Sequence, residues 1–118
     1  MRYLLIHCLD EAADLSPADD SDVEGSAAAR ALQAWVNEME SRGVKLYGGR
    51  LRPVSDATTV RVRGGEVLIT DGPFAETKEQ IAGFDVLECA DLDEAIEVAS
   101  RHPTAKIGTF ELRPFWQP

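Results

Sequence analysis

Two β-α-β halves, with both helices on one face of a mainly antiparallel sheet, are what this sequence predicts: an α+β fold. Three observations carry that prediction. Apolar or alternating runs of strand length open and close the chain and recur in its second half; two segments repeat apolar residues at helical spacing; and a Gly-Gly pair divides the middle into a hairpin.

The first run, Tyr3 to Leu9 (YLLIHCL), is continuously apolar, as a strand covered on both faces would be. A helix follows, because Ala28, Leu32, Trp35, Val36 and Met39 fall on one stripe at 3.6-residue spacing, and Gly43 marks its end. Its start has two readings. Ser16-Pro17 suits an N-cap followed by proline, Ser21 to Glu24 has capping-box spacing, and Gly25 divides the two. A short strand is expected over residues 45–51 (KLYGGRL).

In TTVRVRGGEVLIT, Val60 and Val62 alternate with Arg61 and Arg63, and Val67 and Ile69 alternate with Glu66, Leu68 and Thr70 beyond Gly64-Gly65. That is a two-residue hairpin. Phe84 to Cys89 reads as the next strand. Asp91 caps a second helix, with Glu94 three residues on and Leu92, Ala95, Ile96 and Ala99 as its apolar stripe, and Pro103 stops it. Residues 106–114 (KIGTFELRP) close the chain as a strand with Phe110 and Leu112 on one face.

This order gives one domain over residues 1–118, a ferredoxin-like β-α-β-β-α-β sandwich with an inserted β-hairpin. The helices cover one sheet face. The first strand is apolar on both, so the other face is expected to pack against a second copy, a homodimer of the dimeric α/β-barrel type. Leu32 and Ile96, as stripe residues, are expected in the core.

The chain is 118 residues long with a net charge of −9, which excludes the basic surface that nucleic acid requires. Most of the acidity is local: residues 10–24 carry seven acids and no base, leaving 14 acids against 12 bases elsewhere. No apolar run reaches the roughly 20 residues of a membrane span, and no signal peptide is evident. Cys8 and Cys89 each lie inside apolar runs and read as buried free thiols, which points to the cytoplasm.

The segment TDGPFAETKEQIAGF, residues 70–84, has two readings. In one, Asp71 orders a turn, Phe74 plugs the core, and Thr77 caps a short helix ended by Gly83. In the other, Asp71, Glu76 and Glu79 offer carboxylates and Lys78 a cation at the rim of a pocket.

TTVRVRGGEVLITDGPFAETKEQIAGFDVLE, residues 58–88, resembles the YciI-related proteins of the DGPF type. MRYLLIHCLDEA, DLDEAIEVASRHP and ELRPF extend the resemblance to nearly the whole chain. It implies a dimeric ferredoxin-like fold, a bacterial cytoplasmic setting and a mostly unassigned role. Some such relatives carry a helix-one His one turn after an Arg, paired with an Asp. Here Arg30 is followed by Gln33, which transfers no proton.

Two functions follow. One is binding of a small anionic metabolite in a pocket near the DGPF loop. The alternative is a cofactor-independent isomerase or lyase that works by proton transfer. The catalytic candidates are His7, as a proton-transfer side chain, and Asp71; the ligand-binding candidates are Arg61, Arg63, Phe74, Glu76, Lys78 and Glu79. Arg50 and Arg52 belong to the same basic cluster in sequence, and His102 before Pro103 reads as an exposed helix-end residue. No metal-ligand spacing and no cofactor motif appear, so neither a metal nor a cofactor is expected.

Overall fold

The computed structural model describes residues 1–10 and 27–117. The expected caps at Ser16 and Ser21, the break at Gly25 and most of the acidic run lie outside the described residues. In chain order come β1 (Arg2–Asp10), α1 (Ala27–Ser41), β2 (Lys45–Arg50), β3 (Thr58–Arg63), β4 (Glu66–Asp71), β5 (Glu79–Glu88), α2 (Leu92–Ser100) and β6 (Thr109–Pro114). Single 3₁₀ turns at Val54–Asp56 and Pro103–Lys106 precede β3 and β6.

The main sheet has the order β2-β5-β1-β6, and β3-β4 form a separate two-stranded sheet. The pairings are antiparallel throughout. This is a mixed α+β arrangement compatible with a ferredoxin-like fold.

Local chemistry places the ends. Gly43 closes α1 at φ 71°, and Gly64 and Gly65, at φ 57° and 80°, turn β3 into β4. Only glycine adopts that pair of conformations without strain. Asp91 accepts from Glu94 N at 2.9 Å, and the Glu94 carboxylate reaches back to Ala90 N at 2.9 Å.

The core joins Tyr3 and Leu5 of β1, Trp35 and Met39 of α1, Val44, Leu87, Cys89, and Ala95, Val98 and Ala99 of α2. Trp35 Nε1 donates to Val98 O at 3.0 Å, tying the two helices together. Alternation and register put Leu5, His7, Asp85, Leu87, Phe110 and Leu112 on the helix-facing side of the sheet. The opposite side presents Leu4, Ile6, Tyr47, Phe84 and Val86, with Tyr47 67% exposed.

The structure corrects several expectations. The expected short helix from Thr77 to Gly83 is the beginning of β5, whose Glu79, Gln80 and Ile81 pair with Asp10, Leu9 and Cys8. A partner strand satisfies those backbone groups, which a capping-box spacing alone does not outweigh. Phe74 is 81% exposed and fills no core. The last strand begins at Thr109, after the 3₁₀ turn. Cys89 is buried but Cys8 only half-buried; both are free, and burial pushes the Cys89 thiol up to about 11.

Leu32 and Ile96 are 40% and 50% exposed, so neither belongs to the core. Smaller α2 residues face inward, and Leu32 faces the cavity described below. Truncating either to alanine should therefore cost about 1 kcal/mol by urea unfolding, short of the roughly 2–5 kcal/mol of a sealed side chain.

Candidate functional site

Beneath α1, on the helix-facing side of the sheet, lies a cavity of about 600 Å³. Its polar floor comes from three strands and the turn after α2. His7 of β1 pairs across the sheet with Gly83 of β5, and Asp85 pairs with Leu5, which sets the imidazole and the carboxylate diagonally on one face. Between His7 and Cys8 the register shifts, leaving Ala82 as an extra residue, so β5 bends where the cavity opens.

Asp85 is 4% exposed. Lys45 Nζ lies 3.3 Å from its Oδ1, and His7 Nε2 lies 2.9 Å from its Oδ2. The His7 contact has ion-pair distance without hydrogen-bond alignment, so Nε2 is a buried nitrogen with no hydrogen bond. Such contacts are often loose before substrate arrives and tighten around it. His7 Nδ1 makes no hydrogen bond among the described residues.

Backbone access makes this pair possible. A Cβ on residue 48 would stand 2.0 Å from Asp85 Oδ1 and 2.6 Å from Phe84 O. Only glycine at that position lets the carboxylate lie flat against β2. Gly48→Ala should consequently destabilise the protein by roughly 1–3 kcal/mol in urea unfolding, as overpacking does, and displace Asp85.

His102 corrects the expectation of an exposed residue: it is 3% exposed, because the chain turns inward before Pro103. Its ring lies 4.8 Å from His7, 4.6 Å from Trp35 and 4.9 Å from Phe110, and His7 stacks on Phe110 at 4.5 Å. Nδ1 accepts from Thr104 N at 3.0 Å. Burial, with His7 pushing the same way and Asp85 opposing, holds the imidazole down at about 4.

That depression predicts a pH dependence. Below about 6.5 the unfolded chain takes up a proton that folded His102 refuses until about 4. Stability from this group is whole above about 6.5 and is lost as pH falls through that window, by roughly 2–3 kcal/mol. Thermal melts between pH 7 and pH 5 should show the loss, and His102→Gln should flatten it.

His7, Asp85 and His102 place ligand atoms within 4.8 Å of one another, which raises a metal ion as an occupant. The donor set fits one poorly. The Thr104 N–H holds the His102 Nδ1 lone pair, so the proton of the neutral ring sits on Nε2, where a metal would have to bind. The Lys45 ammonium already occupies Asp85.

Of the candidates His7, Asp71, Arg61, Arg63, Phe74, Glu76, Lys78 and Glu79, His7 alone lines this cavity; Arg50 and Arg52, grouped in sequence with Arg61 and Arg63, line it as well. Asp71 ends β4, opposite Thr58, and its carboxylate has no partner among the described residues. The turn after it is held instead by Gly72, at φ 95°, whose N–H donates to Ala57 O at 2.7 Å, and by Thr59 Oγ1, which donates to Gly72 O at 2.7 Å. The expectation that Asp71 orders the turn is thus not met. Asp71→Asn should leave the melting temperature unchanged.

Arg61 and Arg63 lie on the polar face of the hairpin; Arg63 Nη1 donates to Val62 O. Glu76 is exposed, Lys78 Nζ is 4.0 Å from Asp10 Oδ2, and Glu79 Oε1 accepts from Thr109 Oγ1 at 3.1 Å. Thr77 caps no helix; its hydroxyl donates to Glu79 O.

Sequence reasoning missed Asp85 and Lys45 and read His102 as exposed; Arg50 and Arg52, grouped there with Arg61 and Arg63, line the cavity without them. One signal was available. In GFDVLEC, Asp85 shares the inward period with Gly83, Leu87 and Cys89, and a lone carboxylate at a core-facing strand position demands a partner.

Fold and cavity together define a small α+β protein with a histidine–carboxylate pair in the wall of a ligand-sized cavity. The sequence matches the YCII-related domain over residues 1–117, and the chain belongs to that family. It is 48% identical over 67 residues to the uncharacterized protein R00369 of Rhizobium meliloti (strain 1021), a match covering 55% of this chain and 54% of that protein. The match thus spans about half the length of that relative.

Proposed function

We propose that the cavity is the active site of a cofactor-independent isomerase or lyase that moves a proton on a small anionic metabolite. His7 is the general base, Asp85 orients it and stabilises the imidazolium, and Arg50 and Arg52 in the wall favour an anionic substrate. One contact supports this reading most: His7 Nε2 against the buried Asp85 carboxylate, at 2.9 Å. A histidine oriented by a carboxylate on one nitrogen keeps the other as its basic site, here Nδ1.

The geometry moves the emphasis from binding to catalysis, since the base faces a cavity. It also moves the pocket away from the DGPF loop, whose residues do not line it. In heavy water, the protein should catalyse exchange of acidic C–H protons in a panel of small 2-oxo acids, pyruvate and 2-oxobutyrate included, read by proton NMR. Binding without exchange would return the protein to the metabolite-binding reading; neither binding nor exchange would sink both.

The reading includes a homodimer. The sheet face carrying Leu4, Ile6, Phe84 and Val86 is the apolar surface a second copy would cover. Sedimentation at micromolar concentration should give twice 12.9 kDa, and a monomer there would rule it out.

No helix among the described residues is long and apolar enough to cross a membrane.

A further inference from the structure

Building on the proton-transfer reading, we infer that His102 is a second catalytic group of this cavity. Its Nε2–H donates a hydrogen bond to the carbonyl oxygen of an enolisable carbonyl compound while His7 takes the adjacent proton.

The tautomer comes from the backbone. A peptide N–H is always a donor, so the Thr104 N–H at 3.0 Å requires a lone pair on His102 Nδ1. The proton of the neutral ring is then on Nε2. No hydrogen bond to that nitrogen occurs among the described residues. The residue is 3% exposed and lines the cavity. Among the described residues this donor has no acceptor, and a ligand in the cavity would supply one.

Its surroundings keep the donor neutral. Trp35 and Phe110 pack against the ring, His7 faces it at 4.8 Å, and Asp85 is the carboxylate of the same cluster. Burial leads the resulting fall to about 4, so the ring stays an uncharged donor across the neutral range. An imidazole held neutral can polarise a carbonyl without first having to hold a charge out of water.

The two rings suit one substrate. Their centroids are 4.8 Å apart and inclined at 63°, so a C–H and the C=O next to it can meet one nitrogen each. In the step, His7 Nδ1 removes the α proton and the C–H pair becomes the C=C bond. The carbonyl π pair moves onto oxygen, and the Nε2–H of His102 stabilises that enolate. The proton returns from His7 to the same or a neighbouring carbon, or a β-substituent leaves with its electron pair. Every electron is accounted for without an oxidant, a reductant or a metal. Arg50 and Arg52 line the same cavity, Arg52 with its Nε on Asp56 Oδ2 at 2.9 Å, and their positive charge there suits a carboxylate on the same molecule, which points to 2-oxo acids as the substrate class.

Oxalate, a stable mimic of a 2-oxo acid enolate, is the probe. With 15N-histidine labelling, NMR of the wild-type protein should show His102 protonated at Nε2 and not at Nδ1 from pH 7 down to pH 5. Saturating oxalate should move its Nε2–H resonance. His102→Phe keeps an aromatic ring but no donor, and should weaken oxalate about 10-fold or more and slow 2-oxo acid exchange by about 10²-fold, mainly in kcat. His102→Gln, which restores a donor near the Nε2 position, should recover part of both and also guards against misfolding of the phenylalanine variant.

An Nδ1–H tautomer, an oxalate-insensitive Nε2, or equal oxalate affinity in His102→Phe would overturn the role of His102. Absence of oxalate binding by wild-type protein would overturn the substrate class. If His102 contacts oxalate but His7→Gln exchanges protons as fast as the parent, the general-base reading fails and the His102 contact stands.

Discussion

Replacing His7 with glutamine should lower C–H exchange by about 10²–10⁴-fold, the span of a positioned general base. Glutamine keeps a planar polar group against Phe110 and Asp85 but has no basic nitrogen, so the fold should tolerate it. His7 is not part of the hydrophobic core, and its Nε2 makes no hydrogen bond whose loss would register. Matched melting curves with a collapsed exchange rate are the expected result. Matched rates would remove His7 from the chemistry. Asp85→Asn should follow it less severely, because the base survives while its orienting charge does not.

The largest stability effect should come from Trp35→Ala. The indole is 4% exposed at the centre of the core, and its Nε1 donates to the Val98 carbonyl in α2. Truncation removes a large buried surface and leaves a cavity, a loss of about 3–5 kcal/mol, with the orphaned carbonyl adding to it. For a domain of this size the melting temperature should fall by roughly 10–20 °C. Calorimetry checks this, and a drop of only a few degrees would show that the two helices are held together by something else. The surface ion pairs that also bridge them, Arg42 to Glu94 and Glu97 and Arg101 to Glu38, are exposed and contribute little.

Elements set by local chemistry were legible in the sequence. Two consecutive glycines place the β3–β4 turn between Arg63 and Glu66, and Asp91 with Glu94 starts α2. Elements set by distant partners were not. Thr77 to Gly83 carries helix-start spacing, yet β1 offers six residues before the bulge and three beyond it as partners, and the strand wins at Glu79. In α2 the expected stripe was Leu92, Ala95, Ile96 and Ala99; the structure buries Ala95 and Ala99 together with Val98 and leaves Leu92 and Ile96 about half exposed. Periodicity locates a helix but resolves poorly which neighbouring edge packs when both are apolar.

The site was legible through His7 and through Arg50 and Arg52 of the basic cluster. The partners of His7 are scattered across β2, β5 and the turn after α2, and a charge-rich loop around Asp71 was the more conspicuous stretch. Charge density in a sequence marks solvent exposure at least as often as it marks chemistry. Asp85 and His102 carry no such mark, and only the fold reveals that they meet.

The β3–β4 hairpin has a consequence for how the molecule breathes. Among the described residues its strands pair only with each other, and Val60, Val62, Val67 and Ile69, which share one face, are each more than half exposed. A two-stranded ribbon on its own is marginally stable. Its amides should therefore open without unfolding of the main sheet and exchange with solvent long before those of β1 and β5, making the ribbon a separate, weaker foldon. Addition of a covering partner should be visible first there, as protection appearing at Val60 to Ile69 while the sheet interior is unchanged.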